Sequence, residues 1–169
     1  DAEETWIQGA IDLLTYKMMQ LYNKEYVTVY NTFQMYTTSA LESLKVAHII
    51  ARQSGYFLGA KIVRGAYMEK ERKRAAEMNY PSPIHVDKSG TDADYNAAIT
   101  YCTEYIDEIS VCCATHNEKS SYLFAELLSN HGIPANSHHV MFSQLYGMSD
   151  QITFNLAASG FNASKYVVY

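Results

Sequence analysis

No apolar run in this sequence approaches the roughly 18 residues that a membrane-spanning helix requires. No basic excess is present either. The formal net charge is −5, whereas a general nucleic-acid binder is usually basic. No signal or transit peptide can be read. The chain lacks an initiator methionine and opens on Asp-Ala-Glu-Glu, so any targeting signal is expected upstream of Asp1. Cysteine is scarce: Cys102, Cys112 and Cys113 have no CxxC spacing, and three cannot all pair internally. They read as reduced, buried thiols of an intracellular compartment. No GxGxxG turn is present to support a dinucleotide-binding doubly wound sheet.

What is there is globular. The 169 residues are 48% hydrophobic and 18% charged, enough for one domain with a real core. The 15 tyrosines suit half-buried packing with a wet hydroxyl. Residues 7–22 read as a helix, with Ile7, Ile11, Leu14, Met18 and Leu21 at helical spacing. Residues 26–31 are β-branched and aromatic and read as a short strand. A helix over 39–54 is expected, N-capped by Ser39 with Glu42 in a capping box and stopped by Gly55. Further elements follow: a strand at 59–64, a charged helix at 69–79, a Pro/Gly loop at 80–91, a helix at 92–109 and a strand at 110–114. The last four are a helix at 118–131, a strand at 139–143, a helix at 149–159 and a strand at 165–168.

This alternation implies a parallel sheet. Polar residues stand at the expected C-terminal ends of successive strands: Asp1, Asn31, Lys61, Thr115-His116-Asn117, Gln144 and Tyr166. Asp1 to Asn31, Asn31 to Lys61 and Ala114 to Gln144 are each 30 residues apart. An eight-unit barrel of about 250 residues averages roughly 31 per unit. The regular step favours a (β/α)8 TIM-type barrel over an open sheet. The barrel is expected to be incomplete, with about the last five to six strands and without the final helix. Residues 1–169 would then be the C-terminal portion of the barrel domain, truncated at both ends. Lys61 to Ala114 spans 53 residues, and this insertion is expected to cover the catalytic face.

Several residues can carry chemistry. Lys61 either snorkels on the outer face or points into the barrel mouth, where it would bind an anion, stabilise negative charge or form a Schiff base. Arg64-Gly65-Ala66-Tyr67 supplies small residues that let a ligand approach the backbone. His116 at a strand end is an acid/base, hydrogen-bonding or metal candidate. His138 and His139 are expected to face opposite ways on a strand. His48, His85 and His131 read as surface or helix residues, so no metal site is expected. Glu69 to Arg74 alternates in sign and reads as a solvated helix face. Asp1, Glu3 and Glu4 form either a carboxylate site or a helix start. The residues alone give a barrel with a polar site of Asp1, Asn31, Lys61, Tyr67, His116, Gln144 and Tyr166, and no reaction.

Six strings go further: Asp1-Ala-Glu-Glu, Asn31-Thr-Phe-Gln34, Lys61-Ile-Val-Arg-Gly-Ala-Tyr67-Met68, Ala114-Thr-His-Asn-Glu118, Gln144-Leu-Tyr-Gly-Met148 and Lys165-Tyr166-Val. In this order they closely resemble the proline dehydrogenase family, nearest its eukaryotic, mitochondrial branch. The resemblance implies FAD bound non-covalently over the barrel mouth and oxidation of L-proline to Δ1-pyrroline-5-carboxylate. It implies electrons passed to membrane quinone, peripheral membrane association, and a mitochondrial location at the inner membrane or its matrix side. Lys61 matches the cation beside the flavin, and Asn31 and Gln34 the amide position at its edge. Val63, Arg64, Gly65, Ala66 and Met68 match the segment along the cofactor, with Thr115, His116, Asn117 and Gln144 as further contacts. Asp1, Tyr67, Leu145 and Tyr166 match the pocket around proline, where Lys61, Asp1, Tyr67 and Tyr166 would serve catalysis. Hydride transfer needs the amine unprotonated, which implies activity rising with pH.

Two departures stand out. Val168 replaces a family proline, and nothing matches the arginines and glutamate of the family's last helix, which hold the substrate. The isolated chain is therefore expected to be inactive and to hold FAD weakly. Other readings are a Schiff-base aldolase using Lys61 and an inactive barrel fragment.

Overall fold

The computed structural model describes residue 2 and residues 4–167. Five strands form one sheet in the order β1 (Asn31–Gln34), β2 (Leu58–Val63), β3 (Ile109–Ala114), β4 (Val140–Leu145) and β5 (Ala163–Tyr166). Every neighbouring pair is parallel. Spatial order follows chain order without reversal, so the sheet has no topological switch point. Helices α1 (Thr5–Tyr22), α2 (Ala40–Ser54), α3 (Met68–Glu77), α4 (Lys88–Glu104), α5 (Glu118–Asn130) and α6 (Asp150–Ala158) lie between and beside the strands.

Strand alternation divides the sheet into two faces. Phe33, Ala60, Ile62, Val111, Cys113 and Phe142 are buried in the core with Leu44, Ala47 and Ala51 of α2, Tyr95, Ile99 and Cys102 of α4, and Phe124 and Leu128 of α5. The Phe142 ring lies 5.0 Å from Phe124 and 5.2 Å from Phe161. The other face carries Thr32, Gln34, Lys61, Val63, Ala114, Ser143 and Tyr166, all lining one cleft. Cys102 and Cys113 are buried and Cys112 half-buried, all three free. Burial pushes the Cys112 thiol up to about 11, which keeps it protonated at neutral pH.

The expected strand over 26–31 is misplaced: β1 begins at Asn31. The reason is Asn23, which is fully buried. Its Oδ1 accepts from the N–H groups of Thr28 and Val29 at 3.0 and 2.9 Å, and its Nδ2 donates to Val29 O and Phe57 O. Backbone groups that a ladder would use are spent on a side chain. The coil crosses β2 at Gly59, where a Cβ would come within 2.2 Å of Val29 O. Asn31 therefore starts a strand rather than ending one.

Helix ends follow their chemistry. Gly55 stops α2 in the left-handed region, φ 65°, but Ser39 makes no side-chain cap bond there, contrary to the expected capping box. Helix α4 starts earlier than expected because Asp87 caps it, accepting from Gly90 N at 3.0 Å. The Ser89 hydroxyl and then the Gly90 amide hold the Asp87 carboxyl below its usual value. The expected apolar stripe of α1 differs too: Met19 is its fully buried residue, while Ile7, Leu14, Met18 and Leu21 are exposed.

Beneath the strands, buried His48 bonds Tyr101 OH at 2.7 Å and Glu108 Oε2 at 2.8 Å, and Arg52 holds Glu108 through two bonds. The Arg52 bond, and then that from His48, keeps the Glu108 carboxyl below the usual carboxylate range. A depressed folded pKa contributes stability that is present above the unfolded value of about 4.3 and lost as pH falls through the folded one. Glu108→Gln in the full-length protein is accordingly expected to lower the melting temperature at neutral pH, and the gap to wild type should narrow on acidification. A gap independent of pH would show that the carboxylate's charge is not what matters.

Candidate active site

The strands' C-terminal ends open into a cleft of about 850 Å³, within the roughly 300–1,000 Å³ of cofactor and ligand sites. Its walls come from all five strands and the turns after them, including Ala2, Gln34, Lys61, Arg64, Gly65, Tyr67, Lys88, His116, Leu145 and Tyr166.

Lys61 points inward, which removes the outer-face reading. Its Nζ lies 4.0 Å from the centroid of the Tyr166 ring across the cleft, a cation–π contact. Leu145 and Tyr166 are register partners at the ends of β4 and β5. Tyr67 sits at the start of α3 on the other side.

Arg64 turns away from the strand axis into a knot. Nε donates to Asp92 at 2.7 Å, Nη1 to Thr115 Oγ1 at 2.7 Å and Nη2 to Ser120 Oγ at 2.9 Å, with the guanidinium 4.2 Å from the Tyr95 ring centroid. Arg64, directly after β2, thus fastens α4, the β3–α5 turn and α5 at one cation. Gly65 follows at φ 107°, its α-carbon so close to the buried Tyr36 ring that a Cβ would fall 2.4 Å from it. Only glycine fits there.

On the far wall, Thr115 Oγ1 accepts from Asn117 N, and Asn117 Oδ1 caps α5 through Ser120 N at 3.2 Å. Gln144 is committed at both ends of its amide, to Thr115 O and to Thr153 Oγ1. His116 Nδ1 meets Ser149 Oγ at 3.0 Å. Burial, then the charge of Lys165, lowers its pKa, favouring the neutral ring.

The sequence-derived residues thus divide. Gln34, Lys61, Val63, Arg64, Gly65, Ala66, Tyr67, Thr115, His116, Asn117, Gln144, Leu145 and Tyr166 line one cleft. Asn31 and Met68 do not. Asn31 faces the helices, donating to Asp12 Oδ1 at 2.7 Å and Tyr16 OH at 3.3 Å, because Thr32 and Gln34 take the inward positions of β1. Asp1 lies outside the described residues, as does Val168. Sequence reasoning missed Lys88, which the expected 80–91 loop concealed, and Thr32 and Ser143, which correct strand bounds would have found by alternation. The His138 and His139 rings lie 4.0 Å apart rather than on opposite faces, since both precede β4. Among the described residues no cluster is built to hold a metal.

A family model described as proline dehydrogenase matches residues 1–169. The chain belongs to the proline dehydrogenase family. It is 38% identical over its whole length to "Proline dehydrogenase 1, mitochondrial" of Homo sapiens and 40% identical to "Proline dehydrogenase 2, mitochondrial" of Arabidopsis thaliana, spanning 29% and 37% of those proteins. Among solved structures, proline utilization A from Bdellovibrio bacteriovorus, inactivated by N-propargylglycine, superposes over 99% of this chain and 17% of its own, with a TM-score of 0.91 at 23% identity. The parallel arc is therefore part of a TIM-type barrel, not closed by the strands described. In this proline dehydrogenase-family chain, the long step after β2 is filled by α3 and the 78–87 loop. That loop packs on the β1 turn through Thr38 N to Pro83 O and His85 N to Tyr36 O.

Proposed function

We propose that the full-length protein is an FAD-dependent proline dehydrogenase. It oxidises L-proline to Δ1-pyrroline-5-carboxylate in proline catabolism and passes electrons to quinone in the mitochondrion, as the names of its relatives suggest for the location. The observation that carries the reading is Lys61, aimed into the cleft and facing Tyr166, within the family's Lys-Ile-Val-Arg-Gly-Ala-Tyr string.

The residues present suit the cofactor. Lys61 brings a cation into the cleft, Arg64 and Lys88 share the Asp92 carboxylate at its edge, and Gln34, Thr115, His116 and Asn117 give it a polar lining. When bound, FAD supplies the acceptor for the hydride that leaves the carbon beside proline's ring nitrogen. The protein does the rest. Lys61 holds a fixed positive charge where negative charge develops. Arg64, engaged by Asp92, Thr115 and Ser120, keeps the 64–67 turn in place. Gln144, engaged at both ends of its amide, shapes the far wall. Tyr67, Leu145 and Tyr166 wall a small ring and exclude larger amino acids.

Tyr166→Phe keeps the face that Lys61 contacts and removes only the hydroxyl. In the full-length protein this change, or Tyr67→Phe, is expected to raise the KM for proline or relax selectivity against hydroxyproline. Kinetics like wild type on both substrates would take that tyrosine out of the pocket. The whole reading is tested by purifying the full-length protein with FAD, desalting it and assaying proline with a dye acceptor while trapping the cyclic imine. Retained flavin with imine formed in step with dye reduction is expected. A colourless protein that leaves proline untouched sets the reading aside.

A further inference from the structure

Helix α3 was expected to be a solvated face, yet Glu71 within it is fully buried. Its carboxylate reaches the start of α1: Thr5 N donates to Oε1 at 2.6 Å and Thr5 Oγ1 to Oε2 at 2.7 Å. Helix α1 makes no side-chain cap of its own at Glu4. Its first orphan N–H is satisfied instead by an anion 66 residues away, at the end of the helix where negative charge is favoured. Neighbours on α3 reinforce the tie. Lys70 pairs with Glu4, and the Arg74 guanidinium lies 4.3 Å from the Trp6 ring centroid.

The same carboxylate stands between two walls of the cleft. On one side the Glu71 amide bonds Tyr67 O at 3.0 Å, closing the first turn after the 64–67 segment. On the other, Thr5 ends a short run whose Ala2 is buried against the cleft, and Ala2 O accepts from Gln34 Nε2 at 3.0 Å.

We infer that Glu71 is a positioning residue for the active cleft: by capping α1 through Thr5 it holds Ala2 against Gln34 and fixes that wall relative to the 64–67 turn. It touches neither substrate nor cofactor, and it acts through Thr5, Ala2 and Gln34. The effect on proline rests on the function proposed above, whereas the tie itself does not.

The test uses the full-length protein with Glu71→Ala, Glu71→Gln and Thr5→Val. Two readouts are needed. Amide hydrogen exchange in residues 2–6 is read without substrate, and proline KM and kcat are read per mole of bound flavin. With alanine, exchange in residues 2–6 should speed up and KM rise, each about tenfold, the scale of a lost hydrogen bond to a charged group, with kcat changed far less. Glutamine keeps an acceptor for Thr5 N and gains a donor for Thr5 Oγ1, so it should recover most of both effects. Thr5→Val loses only the hydroxyl bond and should shift both readouts in the same direction by less, so it decides the matter if alanine impairs folding. Unchanged exchange in the alanine and valine variants overturns the tie. Faster exchange with proline KM unchanged overturns the positioning role, leaving Glu71 a stability residue. A wild-type protein that does not oxidise proline fails the proposed function instead, and the exchange result still judges the tie.

Discussion

Replacing Lys61 with alanine in the full-length protein is expected to slow flavin reduction by proline about 10²–10³-fold, while the apparent affinity for proline changes much less. The magnitude is that of removing one preorganised electrostatic stabiliser, about 3 kcal/mol. The placement of Lys61 motivates this. It lies within β2, so its backbone is held by ladders on both sides, and its ammonium stands over the Tyr166 ring inside the cleft. Alanine in its place leaves the strand intact and removes the charge. The effect should therefore appear in the rate of the reductive half-reaction and not in stability. Stopped-flow mixing with proline reads it directly. A reduction rate like wild type would rule out the charge-stabilising role.

The second large effect is structural. Gly65→Ala should destabilise the full-length protein by about 3 kcal/mol and disturb the cleft. Two costs combine: a positive φ that an L side chain rarely adopts, about 1–3 kcal/mol, and overlap with a packed ring, again about 1–3 kcal/mol. The new methyl would lie 2.4–2.6 Å from three atoms of the Tyr36 ring. That ring cannot easily retreat. Tyr36 is buried, its N–H is bonded to Arg64 O at 2.7 Å, and its carbonyl holds His85 N at 2.9 Å. Gly132→Ala is the control, because its φ is 67° with nothing within 4 Å of the added methyl. It should cost only the backbone part, about 1–2 kcal/mol. Urea unfolding of both variants compares the two, and equal losses would mean that contact with Tyr36 contributes nothing.

How far the sequence revealed this arrangement depended on whether the deciding interaction was local. The residues around Lys61 left two directions open, outward to the helices or inward to the barrel mouth, and only the family resemblance favoured the inward one that the strand alternation of β2 realises. Gly55 was legible as a helix stop because its left-handed turn is settled within a few residues. Asn31 was misplaced because Asn23, several residues earlier, takes the backbone groups of Thr28 and Val29 and delays the strand, and a one-residue change of alternation turned Asn31 to the helices and Gln34 to the cleft. Lys88 was missed because Asp87 starts α4 inside a stretch whose prolines and glycine read as loop. Glu71 was missed for another reason. Its charge pattern is that of a solvated helix, and its partner, Thr5, is distant in sequence and identifiable only once α1 and α3 are placed side by side.

If this cleft brings proline to a flavin, anaerobic addition of L-proline to the flavin-loaded full-length protein should show it without any added acceptor. The flavin's visible absorbance is expected to bleach at a rate that saturates with proline, is faster at higher pH as the free amine becomes available, and is slowed by Lys61→Ala. A flavin that stays oxidised in proline, with borohydride instead fixing a carbonyl substrate covalently on Lys61, would contradict it and make the lysine a Schiff-base nucleophile.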